Sequence, residues 1–418
     1  MEIKRDIYLN KLVMRKHNGM IKIVTGVRRS GKSYLLFKLF YDHLLSHGTG
    51  TDNIIRINLE DRYNKELRDP DVLLEYICSH VSGIGMNYIL LDEIQMVSEF
   101  EDVLNTLLHR ENMDVYVTGS NARFLSKDVI TEFRGRGDEV RVHPLCFREF
   151  ASAYAGDKDK ALSEYMTYGG LPQTVTMDSR EQKEDYLKSL FAHTYITDIK
   201  ERYNIRNDAD LEELIDVLAS SIGGLVNPTK LRNTFKSVKN RDVSYDTVKR
   251  YLDLLQDAFL IEKSVRYDIK GKRYIDTPSK YYFEDLGLRN ARINFRQGEP
   301  THLLENLIYN ELRVRGLSVD VGEVTVSTKE HDTKINRRKT LEVDFVCNRG
   351  FNRCYVQAAF ALSSQEKIVQ EISSLKHIRD DFRKIVIAGP LTPTHRDDGG
   401  ILFINIFDFL NSDADALF

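Results

Sequence analysis

Eight residues constrain this chain more than any others: Gly26-Val27-Arg28-Arg29-Ser30-Gly31-Lys32-Ser33. They stand between an apolar run at 20–24 and a stretch at 34–47 that reads as a helix. A strand, a glycine-bounded loop and a helix in that order make an anion cradle, because successive backbone N–H groups and the positive end of the helix dipole face one concavity. The spacing is that of a phosphate-binding P-loop, in which a lysine reaches the β- and γ-phosphates and the next hydroxyl ligates Mg²⁺. Lys32 and Ser33 occupy those two places, with Val27, Arg28, Arg29 and Ser30 forming the loop. Gly26 and Gly31 suit a loop that must wrap closely round an anion, where a Cβ would obstruct. ATP and Mg²⁺ are the implied ligands. The competing reading, an accidental Gly/Ser-rich turn, does not account for the strand before it and the helix after it.

A second strand is expected at 54–59, and a helix beginning at Pro70, a residue that fits a first helical turn. Tyr88-Ile89-Leu90-Leu91-Asp92-Glu93 is almost continuously apolar, as a strand buried on both faces of a parallel sheet must be. Its last residues emerge at the ligand edge, which places Asp92 to hold the Mg²⁺ shell and Glu93 to polarise an attacking water. Val115-Tyr116-Val117-Thr118-Gly119-Ser120-Asn121 is another such strand. Ser120 or Asn121 could bond the γ-phosphate or the water; either could instead cap a helix at 122–126. Arg134 and Arg136, in a glycine-flanked turn before a strand at 139–142, are candidates for an arginine finger, and a solvated basic turn is an equal reading.

Residues 147–204 read as helical, broken by Tyr168-Gly169-Gly170-Leu171-Pro172, a turn or hinge, and suggest a lid over the nucleotide. Residues 208–275 read as three helices and a hairpin, a winged-helix pattern. Between 228 and 274 there are twelve Lys/Arg against six Asp/Glu. That local excess suits DNA contact, although winged helices also serve as protein–protein spacers. From about 280 an α/β unit follows, with a charged loop at 328–340 and a closing strand at 401–407. A helical acid, Glu305, and a strand Asp, Asp344, stand as in a metal-dependent nuclease core, but Gln357 and Ala359 replace the expected Glu and Lys. The expectation is a nuclease-like fold without nuclease activity.

The chain's 418 residues allow two to four domains. A net charge of −3 means that any nucleic-acid contact must come from a local patch. Four cysteines without paired spacing suggest reduced thiols in a cytoplasmic protein rather than a disulfide framework or a zinc site. No signal-like N-terminus or membrane-length apolar run is present.

Taken together, these motifs resemble, over nearly the whole chain, a widespread prokaryotic family of AAA-type ATPases fused to an uncharacterised C-terminal domain. The resemblance rests on the P-loop with its double arginine, Leu90-Leu91-Asp92-Glu93-Ile94-Gln95, Thr118-Gly119-Ser120-Asn121, Gly135-Arg136, Phe147-Arg148-Glu149-Phe150, Gly169-Gly170-Leu171-Pro172 and Asp285-Leu286-Gly287-Leu288-Arg289. It implies an α/β fold: a P-loop AAA-type parallel sheet at 1–150, a helical lid at 151–204, a winged helix at 205–278 and a degenerate restriction-endonuclease-like domain at 279–418. It favours Arg136 over Arg134 as the finger. ATP hydrolysis, a DNA or protein partner, homo-oligomerisation and no membrane contact are the functional expectations. A slow nucleotide-gated switch is the alternative, and an ATP-dependent nuclease a third.

Overall fold

Four short, largely apolar runs and one polar one form the strands of one parallel sheet: β1 (Ile21–Thr25), β2 (Ile54–Asn58), β3 (Asn87–Asp92), β4 (Met113–Thr118) and the polar β5 (Gly137–Arg141). The computed structural model describes residues 3–119, 135–203, 205, 208–239, 243–296, 298–329 and 336–418. Because side chains alternate along a strand, each run divides its apolar residues between two faces. Ile21, Ile23, Ile57, Ile89, Leu91, Val115 and Val117 pack with the helices Pro70–His80 and Phe100–Leu108. Val24, Ile54, Tyr88, Leu90 and Tyr116 pack with the helix Asp6–Met14 and with the helical run that starts at Lys32 and ends at Ser46. Both faces are therefore covered, which is why the inner strands β3, β4 and β1 carry few polar residues while the edge strand β5 carries Asp138, Glu139 and Arg141.

The strand order is β2-β3-β4-β1-β5 and every pairing is parallel. From β1 the chain crosses to β2 at the far edge, and after β4 it returns to β5 on the other side of β1. The C-terminal end of β1 thus faces the crevice where connections diverge, the place where open α/β sheets bind ligands. This α/β architecture is the one expected for the N-terminal part.

By internal contacts the chain divides into two compact units, Met1–Pro144 with Asp257–Phe259, and Leu145–Gln256 with Leu260–Phe418. The first ends a few residues before the expected boundary at 150. The second holds a nine-stranded mixed sheet in the order β13-β14-β12-β11-β10-β9-β7-β8-β6. Its strands are β6 (Leu225–Val226), β7 (Ile261–Asp268), β8 (Arg273–Phe283), β9 (Ser318–Lys329), β10 (Asn336–Arg349), β11 (Asn352–Ala359), β12 (Arg383–Ala388), β13 (His395–Arg396) and β14 (Leu402–Asn405). β7 pairs antiparallel with β8 and parallel with β9, so the expected wing hairpin and the C-terminal strands share one sheet. β8 runs straight through the boundary drawn at 278/279.

Two expectations are corrected here, and one strand was not expected. Much of the charged stretch at 328–340 is strand, because β10 from Asn336 takes its hydrogen bonds from β9, which local polarity could not show. β9 itself was not anticipated. Residues 406–407 are helical, in Ile406–Asn411, where Asn405 caps the first turn by accepting the Phe407 N–H at 2.9 Å.

Candidate nucleotide-binding site

The loop after β1 is shaped by two backbone requirements. Gly26 has φ +134°, and a Cβ there would lie 2.0 Å from the Val142 carbonyl oxygen, so no other residue fits. Gly31 has φ +94° and Arg29 +67°, turning the chain so that the helix can begin at Lys32. Arg5, in the segment before the first helix, is buried and donates to Ser30 O at 2.9 Å and to His143 O at 2.6 Å, tying the loop to the strand end after β5.

Lys32 is only 4% exposed, and its ammonium donates to Gly26 O at 3.0 Å and Val27 O at 3.1 Å. Burial pushes its pKa down to about 8, against the pull of Glu93 and Asp92 and with a further push from Arg28. Ser33 Oγ donates to Asp92 Oδ1 at 3.0 Å, joining the end of β1's loop to the end of β3. Thr118 Oγ1, at the end of β4, donates to the same Asp92 oxygen and accepts the Glu93 N–H at 3.1 Å. Burial raises the Asp92 pKa, and the hydrogen bonds from Thr118 and Ser33 work against that rise. Glu93 sits in the left-handed region at φ +55°, and its carboxylate accepts from Gln95 Nε2. Arg28 reaches Glu60 at 3.6 Å.

These residues fit a polyphosphate with a divalent cation. A buried ammonium lies in a loop of backbone amides, a hydroxyl and a carboxylate meet beside it, and among the described residues the buried Ser30 Oγ in the same loop finds no partner. Arg136 does not join them. It is exposed, and its carbonyl accepts the Ile21 N–H at 2.9 Å at the N-terminal edge of the sheet. At about 3.3 Å per strand residue, that is roughly 16 Å from the loop after Thr25. Ser120, Asn121 and Arg134 lie outside the described residues. Sequence reasoning gave no role to Arg5 or Thr118. Thr118 carried a signal, as a hydroxyl at the end of a buried strand beside the acidic strand end, whereas a lone arginine in an amphipathic lead-in carried none.

The other expected motifs form a frame in the second unit. Asp285 accepts the N–H groups of Gly170 at 2.7 Å and Leu288 at 3.0 Å. Asn290 donates to Met166 O and Thr167 O, and Arg289, buried, to Ala219 O at 2.7 Å. The Phe147 N–H goes to Glu311 at 2.6 Å. The Gly169-Gly170 segment, read from sequence as a turn or hinge, is held by a buried carboxylate. Glu305 and Asp344 come together round Lys280, while Gln357 Oε1 accepts the Asp344 N–H at 3.3 Å and Ala359 contributes only a buried methyl.

Residues 18–151 match a family model described as an AAA domain, and residues 159–299 one described as a domain of unknown function. An uncharacterized protein of Haemophilus influenzae is 36% identical over 414 residues, 98% of each chain. The chain belongs to that protein's family. Another relative, an uncharacterized protein of Methanocaldococcus jannaschii, is 29% identical across 90% of this chain and 82% of its own. Among solved structures, the Walker-type ATPase PABY2304 of Pyrococcus abyssi superposes with a TM-score of 0.49 at 15% identity, covering 70% of this chain and 96% of its own. By the family model they match, residues 18–151 form an AAA-type ATPase-like domain. Among the described residues no helix is long and apolar enough to cross a membrane.

Proposed function

We propose that the chain is an ATP-binding, Mg²⁺-dependent ATPase whose nucleotide state acts on its C-terminal unit. The observation that carries this is the hydrogen-bonded chain Ser33–Asp92–Thr118–Glu93 N–H beside a buried P-loop lysine. Ser33 and Asp92 would hold Mg²⁺, which supplies charge neutralisation at the β- and γ-phosphate oxygens. Gly26, Val27, Arg28, Arg29, Ser30 and Gly31 offer the loop that surrounds the phosphates, and Lys32 offers its ammonium. Glu93 orients a water and accepts its proton on the carboxylate. Ser120 or Asn121 is the candidate for reading the γ-phosphate. Arg136, being at the opposite sheet edge, is proposed to act on a neighbouring copy in a homo-oligomer.

The region 228–274, with its basic helices and hairpin, is the proposed DNA contact, in a winged-helix arrangement followed by a degenerate restriction-endonuclease-like part. A second reading has support from Gln95. A Glu93 carboxylate already engaged by that amide is less available to water, as a slowly turning nucleotide switch acting on a protein partner would require.

Steady-state ATPase rates with Mg²⁺, for wild type, Lys32→Ala and Glu93→Gln, with and without double-stranded DNA, test both. Turnover lost in both variants and raised by DNA supports the motor; tight binding with negligible turnover in every condition favours the switch. Absence of nucleotide binding by the wild type would sink both readings.

A further inference from the structure

The C-terminal sheet holds a buried ion cluster that the nucleotide chemistry does not use. Lys280 on β8 is 2% exposed. Its Nζ donates to Glu305 Oε1, on the helix Pro300–Val314, at 2.8 Å and lies 2.6 Å from Glu342 Oε1 on β10. Tyr282 OH donates to the same Glu305 oxygen at 2.7 Å. Asp344, two residues beyond Glu342 and within a register shift of β10, is near enough to act electrostatically on the lysine, and its Oδ2 takes the Ala358 N–H at 2.8 Å.

A buried lysine normally gives up its charge. Here burial does push in that direction, but the summed pull of Glu305, Asp344 and Glu342 holds the Lys280 pKa above its ordinary value. Three carboxylates from a helix and a strand thus converge on one positive charge supplied by another strand. Hard oxygen ligands of this kind are what Mg²⁺ or Mn²⁺ takes. Of the cluster, Glu342 also lines a cleft of about 490 Å³, together with Gln357, Glu366 and Glu371. Yet among the described residues no group of three or more His, Cys, Asp or Glu is arranged to hold a metal ion as it stands.

We propose that Lys280 is a tethered cation seated in a carboxylate site of divalent-metal type, and that removing its ammonium opens the site to Mg²⁺ or Mn²⁺. The ammonium fills the position by a covalent link to β8, so that what would be a metal centre becomes a permanent joint between β8, β10 and the helix. The inference does not depend on the nucleotide reading.

The test is Mn²⁺ binding to the full chain without nucleotide, followed by the electron paramagnetic resonance signal of free Mn²⁺ and by the melting midpoint. Wild type and Asp344→Asn should bind Mn²⁺ alike. Lys280→Met should gain about one site per chain with Kd on the order of 10⁻⁴ M, and its midpoint should rise by several degrees in Mn²⁺. Both gains should vanish in Lys280→Met/Asp344→Asn. Lys280→Met leaves buried charge uncompensated, so Lys280→Met/Glu342→Gln, which removes one carboxylate with the ammonium, keeps the measurement readable if the single variant does not fold. A wild-type Mn²⁺ site lost in Asp344→Asn, with or without plasmid nicking, would overturn the proposal. A folded Lys280→Met that gains no Mn²⁺ site, or a folded Lys280→Met/Glu342→Gln that gains none where the single variant does not fold, would overturn it equally.

Discussion

Thr118 is the residue on which the site's hydrogen bonding turns, because one hydroxyl serves both acids: it donates to Asp92 and accepts from the Glu93 backbone. Replacing it by the isosteric valine leaves a buried carboxylate oxygen and an N–H each short of a partner, at a cost of about 1–3 kcal/mol. Thr118→Val is expected to lower kcat on the order of 10²-fold while nucleotide affinity changes less than about threefold. A parallel loss of affinity, by titration with a fluorescent nucleotide, would refute that division of labour. Lys32 yields a pH prediction. With its free-state pKa near 8, the ammonium that a triphosphate needs is present below that pH and lost above it. Nucleotide Kd should therefore be flat from pH 6.5 to 7.5 and then rise by up to about tenfold per unit. Lys32→Arg, which cannot discharge there, should show no such rise.

At the scale of elements, the second unit is held by a latch between two turns. Asp285 faces the N–H groups at Gly170 and Leu288, and Gly169 could not carry a side chain, since a Cβ would lie 2.2 Å from the Asp285 carboxylate. Burial pushes the Asp285 carboxyl up to about 6, with the backbone N–H groups opposing. Its folded pKa thus exceeds its unfolded value near 3.8, so the group binds a proton more tightly in the folded state. Its contribution to stability is fully present below about pH 4 and is lost as pH rises through 6. Asp285→Asn cannot ionise and should lack that slope. The melting midpoint of wild type relative to the variant should fall between pH 4 and 6.5, and a pH-independent difference would contradict the assignment. The strands of the first unit were legible from sequence, because continuous apolar runs leave little choice when both faces are buried. β9 is harder to read although Val319, Val321, Val324 and Val326 are apolar, and the first residues of its partner β10 are basic and polar and read as loop. Cross-strand hydrogen bonds made those residues strand, and such bonds have no local signature.

For the whole molecule the decisive question is assembly. Arg136 lies at the N-terminal edge of its own sheet, away from its own phosphate loop, so a finger role requires a second copy. Arg136→Ala should lose on the order of 10³-fold in kcat and keep its nucleotide affinity. Mixing Arg136→Ala with Glu93→Gln, each inactive alone, should restore part of the wild-type rate, because one copy supplies the arginine and the other the intact acid. A chain that stays monomeric with nucleotide by light scattering, and whose Arg136→Ala variant turns over normally, would remove the finger from the mechanism.

The sequence by itself determined the P-loop, the acidic strand end and the α/β character of the first unit, since glycine spacing and uninterrupted apolar runs are local properties. Only the tertiary structure decided that Thr118 bridges the two acids, that Arg5 braces the loop, that Arg136 stands at the wrong edge to serve its own site, and that Lys280 enters a carboxylate cluster where Ala359 offers nothing. Each of these joins residues far apart in the chain, and the strand order and register that bring them together follow from packing between elements, which no single stretch encodes.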